Sequence, residues 1–181
     1  MDFPILSSLI LLPSIGALFL LFANESTRTS RQTIKYVALF VTFVNFVISI
    51  YLWQLFDKSI SEFQFVEEKK WLVGFINYKV GIDGISILFI VLTTFITLLC
   101  IISVINSIKS RLKDFLIAIL ILESLMIGVF SSLDLVIFYL FFEGGLIPMF
   151  LIIGIWGGDR RVYSAFKFFL YTLLGSVLML I

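Results

Sequence analysis

The sequence predicts an all-α fold: a polytopic membrane helix bundle of about six transmembrane helices, forming one domain over residues 1–181. Three observations carry that prediction. Hydrophobic residues make up 61% of the chain and mean hydropathy is +1.15, whereas a soluble domain reaches about 45 to 50% apolar even with glycine included. Apolar runs of about 20 residues, the length that crosses a hydrocarbon core, recur along the chain with polar stretches between them. The charge balance is close to even, 13 Lys plus Arg against 12 Asp plus Glu, without the basic excess that a nucleic-acid binder uses to neutralise phosphates. The lipid bilayer is therefore an expected partner and nucleic acid is not. One Cys, Cys100, and no His remove disulfide frameworks, Cys/His zinc sites and His-dependent catalysis from within this chain. Its chemistry has to come from carboxylates, lysines or backbone.

The first expected span covers residues 3–23, interrupted by Ser7, Ser8, Pro13, Ser14 and Gly16. Asp2 stands where a secretory signal carries Lys or Arg, and no small residue precedes the would-be cleavage site in the required place, so the segment reads as a retained helix. A polar stretch over 24–35, with Arg28, Arg31 and Lys35, separates it from a second span over 36–56. That span contains Asn45 and closes on Tyr51 and Trp53, an interfacial aromatic pair. The one long polar connection, 57–83, holds Glu62, Glu67, Glu68, Lys69, Lys70, Tyr78 and Lys79. Alternation over 62–65 hints at a short strand there.

Asp83 is placed to cap the third span, which runs to about Asn106, because its carboxylate can accept from the first free amides. A compact basic turn over 107–114 leads to a fourth span, 115–130, and residues 131–134 join this to a fifth, 135–156. So short a link makes the fourth and fifth helices antiparallel neighbours. After Gly157, Gly158, Asp159, Arg160 and Arg161, a sixth apolar run from Val162 reaches Ile181. Positively charged short loops stay on the cytoplasmic or equivalent side. The loops over 24–35, 107–114 and 157–161 carry three, three and two Lys or Arg, which places them inside and the N-terminus outside.

Two acids fall well within spans. Glu123 and Glu143 each lie ten residues from Leu133 in the tight turn, about 15 Å of helix at 1.5 Å per residue, and so near mid-membrane. An ionised carboxylate at that depth is costly, and such groups mark proton or ion paths or pair with a cation inside the bundle. The competing reading for each is a structural acid bonded to a neighbouring helix. Glu143 is the stronger functional candidate, because Gly144 and Gly145 follow it and Pro148 removes the amide that would bond the Gly144 carbonyl. Glu123 is the weaker one. Lys167 reads as an interfacial lysine with its ammonium reaching toward water, and Arg160 and Arg161 as orientation anchors. Tyr139, Phe138, Phe141 and Phe142 read as lipid-facing or packing aromatics, and Cys100 as apolar filler.

The run from Asp134 to Met149, with Glu143-Gly-Gly-Leu-Ile-Pro148 at its centre and Ile155-Trp156-Gly157 after it, resembles a known family. So do Tyr78 to Ser86 and Ala165 to Ser176. Together they look like the M chain, mitochondrial subunit 4, of proton-pumping NADH:quinone oxidoreductase, respiratory complex I. The resemblance covers most of residues 71–181. It implies a proton-translocating, antiporter-like subunit in a bacterial plasma membrane or a mitochondrial inner membrane, with other membrane-arm subunits as partners. It also implies that Glu143 matches the family's intramembrane glutamate, which pairs with a lysine on a later helix, and that Glu123 matches a less uniformly acidic position. No cofactor is expected in this chain, the NADH, FMN, iron-sulfur clusters and quinone of such a complex belonging to other subunits. On this resemblance the sequence reads as an N-terminal fragment that stops before the family's axial lysines. A multisubunit sodium/proton antiporter subunit and a non-catalytic membrane scaffold are the alternatives.

Overall fold

A computed structural model of the chain describes residues 4–23, 28–60, 62–72, 76–108 and 110–180. Phe3 and Ile181, expected at the two ends of the apolar runs, lie outside these described residues. Within them the chain forms α1 (Ile5–Phe22), α2 (Arg28–Leu55), β1 (Gln64–Leu72), β2 (Ile76–Ile82), α3 (Ser86–Ser107), α4 (Leu112–Ser131), α5 (Leu135–Trp156) and α6 (Arg161–Leu180). Each helix is long and apolar enough to cross a membrane. The bundle expected from composition is therefore present.

α4 is the central helix and packs against α1, α2, α3 and α5, while α6 packs on α5. Burial follows that arrangement. Leu116, Leu120 and Ile127 of α4 are fully enclosed, whereas the outer faces of α3, α5 and α6 keep large apolar side chains exposed, as lipid-facing surfaces do. α1 passes through Pro13 without ending. Gly16 sits where α2 comes closest, since a Cβ there would meet Val41 at 2.8 Å.

α2 begins at Arg28 rather than at Tyr36. No Gly or Pro occurs between Arg28 and Lys35, so the helix propagates one bond per residue into the interface. Ile34 on that extension is also buried against Ala17, Leu20 and Leu116, which rewards the extra turns with tertiary packing.

The largest departure from an all-helical reading is an antiparallel hairpin of β1 and β2, with Glu68 opposite Lys79 and Lys69 opposite Tyr78. The hint of a strand at 62–65 corresponds to the start of β1, but β2 was not anticipated. Val80 and Ile82 alternate along it and are buried among Leu6, Leu9, Leu52, Ile87 and Ile127. Between them, Gly81 presents bare backbone to Leu133, whose Cδ1 a Cβ at this position would meet at 2.7 Å. The α4–α5 turn then docks on β2, where the Leu133 amide donates to the Lys79 carbonyl at 3.0 Å and Ser132 bridges Val80.

These contacts put the hairpin, the start of α1 and the α4–α5 turn at one end of the bundle. The opposite end gathers the C-terminus of α1 and the turns before α4 and after α5. There the Lys113 ammonium donates to the Leu21 and Ala23 carbonyls at 3.0 and 2.9 Å, satisfying acceptors that a helix C-terminus leaves open. Trp156 Nε1 donates to the Ser110 carbonyl at 3.2 Å. The basic turns are thus neighbours, as their shared sidedness requires. Asp83 acts as expected at the head of α3, its carboxylate accepting the Ser86 amide at 2.7 Å. That bond holds its carboxyl below the usual carboxylate range.

Candidate functional site

Both intramembrane acids are held by partners on other helices, and the partners differ. Glu123 points from α4 into the bundle and is 1% exposed. Its Oε1 accepts from Asn45 Nδ2 on α2 at 2.8 Å. One residue on, Ser124 faces α1 instead, donating to the Ile10 carbonyl and accepting from Ser14 Oγ at 2.8 Å. The helical rotation between successive positions thereby ties α4 to two helices at one level.

Glu143 faces the other way. It is half-buried on α5, and Ser176 of α6 donates to its Oε1. Tyr139 lies one turn earlier on the same helix. The carboxyl is held across the α5–α6 contact by a single hydroxyl. Gly144 lets α5 approach α4, a Cβ there lying 3.2 Å from Leu125 Cδ2. Pro148 is buried and α5 remains helical through it. Below Glu143, a groove of about 540 Å³ runs along Gly144, Pro148, Leu125, Ile121 and Leu21, so the glycine-thinned face is lined by aliphatic side chains.

Sequence reasoning placed both acids at one depth on neighbouring antiparallel helices. The structure separates their directions, Glu123 toward α2 and Glu143 toward α6. Among the described residues the ion pairs are Lys79–Glu68 and Arg111–Asp114, and neither intramembrane acid has one. Lys167 is exposed, 6.0 Å from the centre of the Tyr163 ring, in keeping with an interfacial lysine.

Three residues need correction or addition. Cys100 is exposed on α3 rather than filling a core. Asn45 and Ser176 are the partners that sequence reasoning did not assign, although an amide inside an apolar span is itself a sign of an interhelical bond.

Six apolar helices, with an acid that sits beside paired glycines and a proline and is held by a hydroxyl on the next helix, define the class: a polytopic membrane helix bundle. A family model described as NADH:quinone oxidoreductase/Mrp antiporter, TM, matches residues 132–181, the stretch that carries Glu143 and Ser176. The NADH-quinone oxidoreductase subunit M of Rhodobacter capsulatus is 53% identical over 98% of this chain and 34% of its own length. That of Rickettsia prowazekii is 47% identical over 100% of this chain and 37% of its own. NADH-ubiquinone oxidoreductase chain 4 of Mycosarcoma maydis is 50% identical over 97% and 36%. The chain spans about a third of the length of these curated relatives. These relatives, aligned across nearly the whole extent of this chain, are named subunit M or chain 4.

Proposed function

We propose that this chain forms part of a proton-translocating membrane subunit of an NADH:quinone oxidoreductase, coupling NADH oxidation and quinone reduction in other subunits to proton movement across the membrane. The observation that carries this reading is the similarity to subunit M along 98% of the chain, with Glu143 on α5 accepting a hydrogen bond from Ser176 on α6. Ser176 positions this carboxyl at the α5–α6 contact, where a charge moving along the membrane arm would act on it. In this proposal the other membrane-arm subunits are the partners, the flavin, iron-sulfur clusters and quinone belong to other subunits, and the membrane is a bacterial plasma membrane or a mitochondrial inner membrane.

Glu143→Gln keeps the shape and can still accept from Ser176 but cannot ionise. In membranes with matched amounts of assembled complex, it is expected to lower NADH-driven quinone reduction and proton uptake sharply, with Glu143→Asp retaining part of both. Normal pumping by Glu143→Gln reduces the acid to interhelical glue. The family description also embraces Mrp antiporters, and that reading is separated by its independence of NADH: sodium/proton exchange in vesicles without NADH would favour it.

A further inference from the structure

A cavity of about 330 Å³ opens between α3 and α4, with Thr97, Cys100, Met126 and Phe130 in its wall and Glu123 as the one acidic side chain lining it. The Asn45–Glu123 pair is enclosed, at 0% and 1% exposure. One half of the pair is closed by the bond from Asn45 Nδ2 to Glu123 Oε1. The other half consists of two acceptors: Asn45 Oδ1 and Glu123 Oε2 are both buried without a hydrogen-bond donor. Buried acceptors in that condition lose their hydration and gain nothing in return, and an ionised carboxylate loses most.

The neighbouring hydroxyl protons are already committed. Thr93 and Thr97 donate to the Phe89 and Thr93 carbonyls of their own helix. Ser124 donates to Ile10 and Ser14 to Ser124. Facing Glu123 from α3, Cys100 is the other titratable group in the cavity wall, α5 contributes Ile152, and no Lys or Arg is present among these described lining residues. From α2 the facing group is the Asn45 amide.

We propose that the missing donor is a proton on Glu123 itself. The side chain is a carboxylic acid whose Oε2–H donates to Asn45 Oδ1 while Oε1 accepts from Nδ2, so acid and amide close a ring of two hydrogen bonds around one proton at mid-membrane depth. Such a ring satisfies both orphaned acceptors with a single atom and requires no charge in the apolar interior. Asn45 is then a positioning residue for a proton-holding site separate from Glu143. The two acids differ in kind, one neutral and locked by an amide, the other served by a single hydroxyl at a helix interface. This site stands independently of the proposed coupling to NADH oxidation, because it is read by protonation state rather than by turnover.

The test is infrared difference spectroscopy on the assembled parent protein and its variants in membranes at neutral pH. A Gln at position 123 can donate to Asn45 Oδ1 and accept from Nδ2, so Glu123→Gln is expected to fold and assemble. The variant-minus-parent spectrum is expected to show loss of a protonated carboxylic-acid C=O band that shifts downward in D2O. Asn45→Ala removes both bonds of the ring and is expected to move that same band to higher frequency. Loss of a carboxylate band in place of the acid band overturns the proposal, because it means that a water or a cation serves Oε2. An acid band unmoved by Asn45→Ala overturns it as well.

Discussion

Glu67 on β1 caps α1 at Ser7, from a strand that lies on the far side of the whole second helix. Its carboxylate accepts the Leu6 amide at 2.8 Å and the Ser7 amide at 3.1 Å, and the Ser7 hydroxyl also donates to it. A helix N-terminus leaves its first amides without partners and carries a partial positive charge, and Pro4 before it offers no side-chain cap. The hairpin supplies what the local sequence lacks.

Glu67→Ala is therefore expected to lower stability by about 1 kcal/mol, the usual worth of an N-cap, and to free the hairpin from α1. Hydrogen exchange at Leu6 and Ser7 reads this directly. Protection of those amides should fall while protection in the middle of α4 stays unchanged, and unaltered exchange at Leu6 and Ser7 would show that the cap contributes nothing.

Tyr78 shares this joint, its hydroxyl 3.1 Å from Ser7 Oγ. Burial pushes its phenol above the ordinary value of 10.0, the Ser7 bond opposes that and the Glu67 charge adds to it. A group whose folded value is raised gives its full contribution below the unfolded value and loses it as pH climbs through the folded one. Docking of the hairpin should accordingly be constant at neutral pH and weaken only above about pH 10. Tyr78→Phe should abolish that alkaline loss, as monitored by the same exchange signals.

Gly128 faces Phe141 across the α4–α5 contact, and a Cβ there would lie 2.6 Å from the ring. Gly128→Ala forces the ring or the helix to move, a cost of about 1–3 kcal/mol for overpacking. Thermal unfolding of the purified protein should show the loss. The double variant with Phe141→Leu should recover most of it, and failure of that rescue would place the strain elsewhere.

Ser176→Ala removes the α6 donor to the Glu143 carboxyl. Assembly should be preserved, because Ala suits a helix interior and the Leu173 carbonyl that the Ser176 hydroxyl also contacts keeps its place in the backbone ladder of α6. Proton uptake per NADH oxidised should drop, less than in Glu143→Gln. A normal ratio would detach Ser176 from the proton path.

Sidedness follows from the end-to-end grouping of turns. In a Cys100→Ala background, a cysteine replacing Ser110 or Gly158 should be labelled from the cytoplasmic or matrix face, and one replacing Glu68 from the opposite face. Labelling of position 110 from the outside would invert the orientation.

By itself the sequence determined the number and order of the apolar helices. Both depend on a quantity that accumulates along the chain, apolar length against bilayer thickness. It also determined that Asp83 opens α3 and that α4 and α5 lie side by side, since a cap and a short link act over a few residues. Only the tertiary structure decided which way each acid points, because direction depends on the rotation of packed helices. Three residues that sequence reasoning left unpartnered acquired their roles in this way: Asn45 and Ser176 across helix contacts, and Glu67 at α1 from a strand. Such pairings link positions far apart in the chain, and no local propensity encodes them; they are set by burial, which leaves each polar group only the partner that packing brings within reach.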